Sequence, residues 1–364
     1  MRLSATLSLY IGRQFVLWFL AILGGMLAIV YLLDTVELLR RAANKPDAAF
    51  QIVLTMGLLK LPEIGQEIVP FVVLFGGMYT FWRLTRTQEL VVVRASGISV
   101  WQFMAPVLTA TFLIGMTLVG VLNPIFSAML GRYEQLENRY LRGMKSSLDV
   151  AESGIWLRQV GEPQAYLIHA DAIVPGTLEL RQVMVLLNES DGQVSGRFDA
   201  ASATLRDGFW ELRDAWFNRP GRVGEFLPAY RLPTELTEQK IQEAFASPDT
   251  LSFWELPGFI ATLEATGLSS VRHRLHWHSL LAQPVLLCAM ILLAAAFAMR
   301  QVRRGGALTL IALGIAAALL LFVMQDIVLA LGMSGTIPVL LAAWAPAGVS
   351  VMLGAAALLH LEDG

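Results

Sequence analysis

The chain has 364 residues, 55% hydrophobic and only 15% charged, with a net charge of −2 at neutral pH. Ordinary soluble domains carry about 25% charged residues, so this composition excludes a conventional soluble protein, and the near-neutral balance excludes the broad basic field that nucleic-acid binding needs. One cysteine, Cys288, lies inside an apolar run, which excludes an internal disulfide and reads as a small hydrophobe.

A helix crosses a bilayer with about 20 apolar residues. Gln14 to Leu33 is an uncharged run of that length, with no small-residue cleavage site after it, and it reads as a retained span rather than a removed signal. Ile52 to Trp82 holds Lys60, Glu63, Glu67, Pro62 and Pro70, and predicts one long helix kinked near Pro62, its polar half rising toward the membrane surface. Lys60, Glu63 and Glu67 share a helix face, which predicts internal pairing rather than a proton relay. Ile98 to Gly131 supplies a third span, Ser279 to Met299 a fourth and Gly305 to Gln325 a fifth. Ile327 to Leu359 turns at Gly332 to Pro338 and leaves a sixth.

The middle of the chain changes character. Gly154-Ile-Trp-Leu-Arg, Ala165-Tyr-Leu-Ile-His, Leu178-Glu-Leu-Arg-Gln-Val-Met-Val and Trp210-Glu-Leu-Arg-Asp-Ala-Trp read as strands. Val174-Pro-Gly, Ser190-Asp-Gly, Arg206-Asp-Gly and Arg219-Pro-Gly read as turns between strands. A helix-like stretch from about Phe253 to Thr266 leads back toward the apolar part. The predicted fold class is an α-helical membrane protein with six transmembrane helices, three plus three, around an inserted all-β, jelly-roll-like domain. The boundaries are 1–131 for helices one to three, 132–275 for the β-domain and 276–364 for helices four to six.

Orientation follows Lys and Arg in the short loops. With the N-terminus inside, the cytoplasmic segments hold eight basic residues, Arg2, Arg13, Arg83, Arg86, Arg94, Arg300, Arg303 and Arg304, and the short outer loops hold three, Arg40, Arg41 and Lys45. Both termini are therefore expected in the cytoplasm, with the β-domain outside. Trp82, Trp101 and Trp277 stand where interfacial anchors belong.

The loop between helices two and three, about 85–97, reads Thr87-Gln-Glu-Leu-Val-Val-Val-Arg-Ala-Ser-Gly97. It is either a short interfacial amphipathic helix capped by Gly97 or a docking helix for a cytoplasmic partner. Its form resembles the coupling-helix motif of the LptF/LptG permeases, which extract lipopolysaccharide from the inner membrane, and is closer to the LptG branch. Tyr10-Ile-Gly-Arg13, Val36-Glu-Leu-Leu-Arg-Arg-Ala42, Gln283-Pro284, Asp326 and Gly335-Thr-Ile-Pro338 are similar as well, so the resemblance covers the whole chain.

That resemblance implies a bacterial inner-membrane protein that pairs with an LptF-like permease subunit and an LptB-like ATPase dimer in the cytoplasm. It also implies that lipopolysaccharide is handed to LptC- and LptA-like jelly-roll proteins outside. It assigns coupling to Glu89, Leu90, Val91, Val93, Arg94 and Gly97. The chain has no Gly-x-x-x-x-Gly-Lys-Ser/Thr, and Gly143-Met-Lys-Ser lacks its spacing, so hydrolysis is left to the partner. No cofactor is called for.

Four residues are candidates for lipid binding. Arg40, Arg41 and Lys45 form either a headgroup-facing cluster or a phosphate clamp, with Asp34 partly offsetting their charge. Asp326 interrupts an apolar stretch and faces either a cavity or the outer interface. His273, His276 and His278 do not offer metal-ligand spacing, and no catalytic constellation stands out. Two rivals remain: the paralogous LptF role, and a membrane-embedded lipid-modifying enzyme built on Lys60, Glu63 and Glu67.

Overall fold

A computed structural model describes residues 5–43, 45, 49–95, 97–142, 155–159, 165–174, 179–188, 194–206, 208–219, 221, 223–234, 247–265, 269–298 and 306–363. Among them, six helices are long and apolar enough to cross a membrane. The first, α1 (Ala5–Ala42), is 38 residues long. At 1.5 Å per residue it measures about 57 Å, well beyond a bilayer core of about 30 Å, so its charged end projects past the hydrocarbon. α2 (Phe50–Arg86) runs through Pro62 and Pro70 without interruption, so the kink expected at Pro62 does not break it. Pro70 leaves the Gln66 carbonyl without its helical donor, beside a cavity that both residues line. The short α3 (Glu89–Ala95) follows.

α4 (Val100–Leu141) is longer than its apolar run, which ends at Gly131. Arg132, Glu134, Glu137 and Arg139 lie on its continuation, so charge at this end marks departure from the apolar core and not the end of the helix. The helix widens into a π turn at Leu118–Leu122, where the Asn123 N–H donates to the Leu118 carbonyl. Such turns free backbone groups. Here the Gly120 carbonyl accepts from the Trp254 indole N–H at 2.9 Å, and the buried Asn123 Oδ1 accepts from the Phe253 N–H at 2.6 Å. The chain returning from the β-domain is thus tied to the middle of α4. Next comes α5 (Leu256–Ala265), matching the helix expected near 253–266.

α6 (Val271–Ala298), α7 (Gly306–Met333) and α8 (Val339–Asp363) complete the helical part. α6 is the central helix, enclosed along most of its length, whereas the apolar middle of α1 is almost uncovered. The core joins Phe15, Phe19, Val73, Phe81, Met104, Leu287 and Ile291 from α1, α2, α4 and α6. α4 approaches α6 so closely at Gly115 that a Cβ there would lie 2.7 Å from the Pro284 Cα. Leu20, Leu33, Leu320 and Met352 are exposed, as lipid or a partner subunit would require.

The inserted domain is a six-stranded antiparallel sheet in chain order, β1 (Ile155–Gln159), β2 (Ala165–Val174), β3 (Glu179–Asn188), β4 (Val194–Arg206), β5 (Phe209–Asn218) and β6 (Glu225–Pro233). The β-rich insertion is as expected. Its connectivity among the described strands is a meander, without the crossovers of a full jelly-roll. The turn sequences at 174, 206 and 219 begin at strand ends, while that at 190 lies outside the described residues, as do 175–178, 207 and 220.

Val183, Val185, Phe198, Ala200, Trp210 and Leu212 fill the inner face. Gln182 and Asp214 adopt left-handed φ of 50° and 52°, rare for non-glycine residues. The flanking pairs put Asp171, Gln182, Ala201, Asp214 and Pro228 in one row across five strands, so the sheet bends along this line. The bend brings distant strands together. Phe198 of β4 stacks on Tyr230 of β6 at 4.6 Å, and burial together with Tyr230 pushes the β2 Tyr166 hydroxyl above its ordinary value.

Candidate functional site

Charge collects in three places on the helical part. The first is the C-terminal end of α1. Glu37 sits three and four residues before Arg40 and Arg41, the spacing at which helical side chains meet. Arg40 grips it with both arms, Nε to Oε2 at 2.8 Å and Nη2 to Oε1 at 2.8 Å, and Arg41 donates from Nε to Oε1 at 2.9 Å. Arg41 Nη1 also lies 3.6 Å from Glu137 of α4. Lys45 is exposed, with its backbone N–H on the Ala42 carbonyl. Asp34 does not offset the arginines as the sequence suggested. It faces α2, where Lys60 Nζ donates to Oδ1 at 2.8 Å, and Lys60 also lies over the Tyr133 ring of α4. This corrects the pairing expected within Lys60, Glu63 and Glu67: the lysine leaves its own helix face for α1.

The second place is a cavity of about 620 Å³ between α2, α4, α6, α7 and α8. Its apolar wall is Phe71, Leu286, Met290, Leu321, Phe322 and Ala347. Its polar wall is Glu63 and Glu67 from α2, Asp326 and Gln325 from α7, Arg272 and His276 from α6, and Asp249 from the linker before α5. His276 Nδ1 lies 3.2 Å from Asp249 Oδ1. Asp326 therefore faces a cavity, the first of the two alternatives left by the sequence. Arg40 and Arg41 are not among the lining residues, so the four sequence candidates for lipid binding split into an outer basic set and an inner acidic member.

The third place is the loop around α3. Gln88 takes a left-handed φ of 63° and Gly97 one of 79°, so the segment opens and closes on tight turns. Thr87 Oγ1 donates to Glu89 Oε1 at 2.9 Å. Leu90 is 4% exposed in the core of the chain's own helices, and Val93 packs against that core. These two residues anchor α3 in place, which removes them from the docking face expected of Leu90, Val91 and Val93. Val92, 68% exposed, takes their place on the outside. Glu89 is half-buried and Gly97 exposed, while the side chains of Val91 and Arg94 lie outside the described ones.

The sequence matches, over residues 9–360, the family described as the lipopolysaccharide export system permease LptF/LptG. The chain belongs to the LptF/LptG permease family. Two curated relatives named lipopolysaccharide export system permease protein LptG, from Escherichia coli strains K12 and CFT073, are each 26% identical over 249 residues. The match covers 66% of this chain and 66% of each relative, just under two thirds of their own length. The family is described as a permease, a component of an export system.

Within this LptF/LptG chain the three histidines serve packing and pairing. His273 is buried with its ring 5.0 Å from that of Phe259, His276 meets Asp249, and His278 lies edge-on to Trp277 at 5.0 Å. Sequence reasoning missed Glu37, although its spacing to both arginines was visible. It also missed Glu137 and Asp249, for which no local signal existed. Cys288 sits between helices, its thiol 3.7 Å from the Leu108 carbonyl.

Proposed function

We propose that this chain is the LptG-like permease subunit of a lipopolysaccharide exporter in a bacterial inner membrane, with both termini in the cytoplasm. The observation that carries this reading is the cavity within an LptF/LptG chain. It has an apolar wall suited to acyl chains, opens among helices whose outer faces are uncovered, and is accompanied by a separate arginine pair at the end of α1. The volume is small for a whole glycolipid, so an LptF-like partner subunit completes the cavity.

Arg40, Arg41 and Lys45 meet the lipid phosphates, and Asp326 lines the chamber for the rest of the headgroup. An LptB-like ATPase dimer docks on 85–97, with Glu89 and Val92 as the outward contacts, Leu90 and Val93 holding α3 from behind, and Val91, Arg94 and Gly97 completing the segment. The β-domain, whose described strands run from Ile155 to Pro233 and not over the whole of 132–275, passes lipid to LptC- and LptA-like jelly-roll proteins by lending them an open sheet edge. The loop motif and the two LptG relatives favour the LptG role over the LptF role. The test is purification of the tagged chain from its native membrane. An LptF-like chain and an ATPase should co-purify, and the reconstituted complex should release lipopolysaccharide only with ATP. Turnover of a lipid by the chain alone would instead support the enzyme reading.

A further inference from the structure

We infer that Glu37 is a built-in stand-in for phosphate, occupying the arginine pair until a phosphorylated lipid headgroup displaces it. The inference rests on the reading of Arg40 and Arg41 as a phosphate clamp. Its basis is the fork geometry: both nitrogen donors of Arg40 meet both Glu37 oxygens at 2.8 Å, and Arg41 shares one of those oxygens at 2.9 Å. A carboxylate and a phosphate present the same paired acceptor oxygens to a guanidinium fork, and the phosphate carries more charge.

The pairing is solvent-facing, with the Arg40 side chain 76% exposed, and exposed ion pairs are weak and readily exchanged. The two arginines are not equivalent. Arg41 is also held by Glu137 of α4, so it keeps its place when Glu37 swings out, while Arg40 is the arm that transfers to the ligand. Glu37 thus keeps the two guanidiniums side by side without a ligand. Once displaced, its like charge opposes the bound phosphate and favours release, which a transporter requires.

The test uses the assembled complex with a photoreactive residue at the exposed Leu33 and lipopolysaccharide at sub-saturating concentration. Glu37→Gln should raise crosslinking about three-fold, the scale of a lost exposed pair, and slow its loss on washing. Lipopolysaccharide stripped of its phosphates should show no such gain. Glu37→Asp keeps the charge but shortens the reach, so it should raise crosslinking as Glu37→Gln does while keeping the wild-type loss on washing; wild-type crosslinking would mean that only local charge matters and would overturn the stand-in. Unchanged or reduced crosslinking in Glu37→Gln, with Arg40→Glu/Arg41→Glu still abolishing it, would overturn the stand-in and leave the clamp intact. No loss in the double arginine variant would overturn the clamp itself. Inorganic phosphate competing as well as the lipid would overturn the lipid headgroup as the ligand.

Discussion

The end of α1 and the cavity are both charged, yet they are built in opposite ways. At the end of α1 the shared partner Glu37 lies within four residues of both arginines on one exposed helix face, and with Glu137 of α4 and Lys45 counted the surplus is still basic. In the cavity the polar residues come from positions 63, 67, 249, 272, 276 and 326, brought together by folding, and carboxylates outnumber cations. A charge held by near neighbours on an open surface exchanges partners at little cost, whereas one enclosed between helices is costly to strip of its partner. The first arrangement suits transient capture of an anion. The second suits a chamber that repels phosphate and leaves the acyl chains to the apolar wall.

The contrast is sharpened first at the loop around α3, another locally built charged site. Glu89→Arg should weaken ATPase docking by about 2–5 kcal/mol, the scale of losing one side of a buried interfacial charge contact. ATPase retained by the variant complex on a sizing column reads this directly. Wild-type retention would return Glu89 to the role of a local cap for α3. The next largest effect is expected at Asp34 and Lys60, which join α1 to α2 in a partly buried pair. Lys60→Ala leaves Asp34 uncompensated and should cost about 2–3 kcal/mol in detergent unfolding, with recovery when the charges are swapped on both helices. Glu37→Gln should leave unfolding nearly unchanged. Equal destabilisation by the two changes would break the distinction between exchangeable and structural pairs.

Smaller effects belong to the β-domain and its return. Gln182→Val places a β-branched residue at a left-handed φ and should destabilise by about 1–2 kcal/mol, while Gln182→Gly should be neutral or stabilising. Thermal unfolding of the whole chain separates the two signs. Ser252 and Glu255 cap α5 reciprocally, with Ser252 Oγ donating to Glu255 Oε2 at 2.6 Å and the Ser252 N–H at 3.0 Å. The Ser252 hydroxyl and then its backbone N–H hold the Glu255 carboxyl below its ordinary 4.5. A depressed carboxyl contributes stability above the unfolded value and loses it as the pH falls through the folded one. Ser252→Ala should cost about 1 kcal/mol at neutral pH, and the deficit should shrink as the pH falls below the ordinary carboxylate range and through the lowered folded value, where the wild type loses the same contact.

Apolar length made the six spans legible before any coordinates, because a bilayer imposes a residue count that no soluble fold demands. The end of α4 was not legible, since charge on a helix that has left the membrane looks like the start of a loop. β4 and β6 escaped notice for another reason. Val194–Arg206 is rich in alanine and serine, and Glu225–Pro233 is largely exposed at the sheet edge, so neither shows a clean alternation. Arg40 and Arg41 stand out as neighbours in the sequence, whereas their Glu37 partner was missed although its spacing to both was visible. Lys60 and Asp34, 26 residues apart, and Asp249 and His276 on separate elements required the fold. Leu90 looked like a docking residue because a short amphipathic helix shows an apolar face equally to a partner or to its own core.

The central claim is a division of labour, with phosphate held at the end of α1 and acyl chains held in the cavity. Photoreactive residues at Leu33 and at Phe322, in the same assembled complex, test it with intact and with dephosphorylated lipopolysaccharide. The account predicts that removing the phosphates abolishes crosslinking at Leu33 and largely preserves it at Phe322. Equal loss at both positions would contradict it.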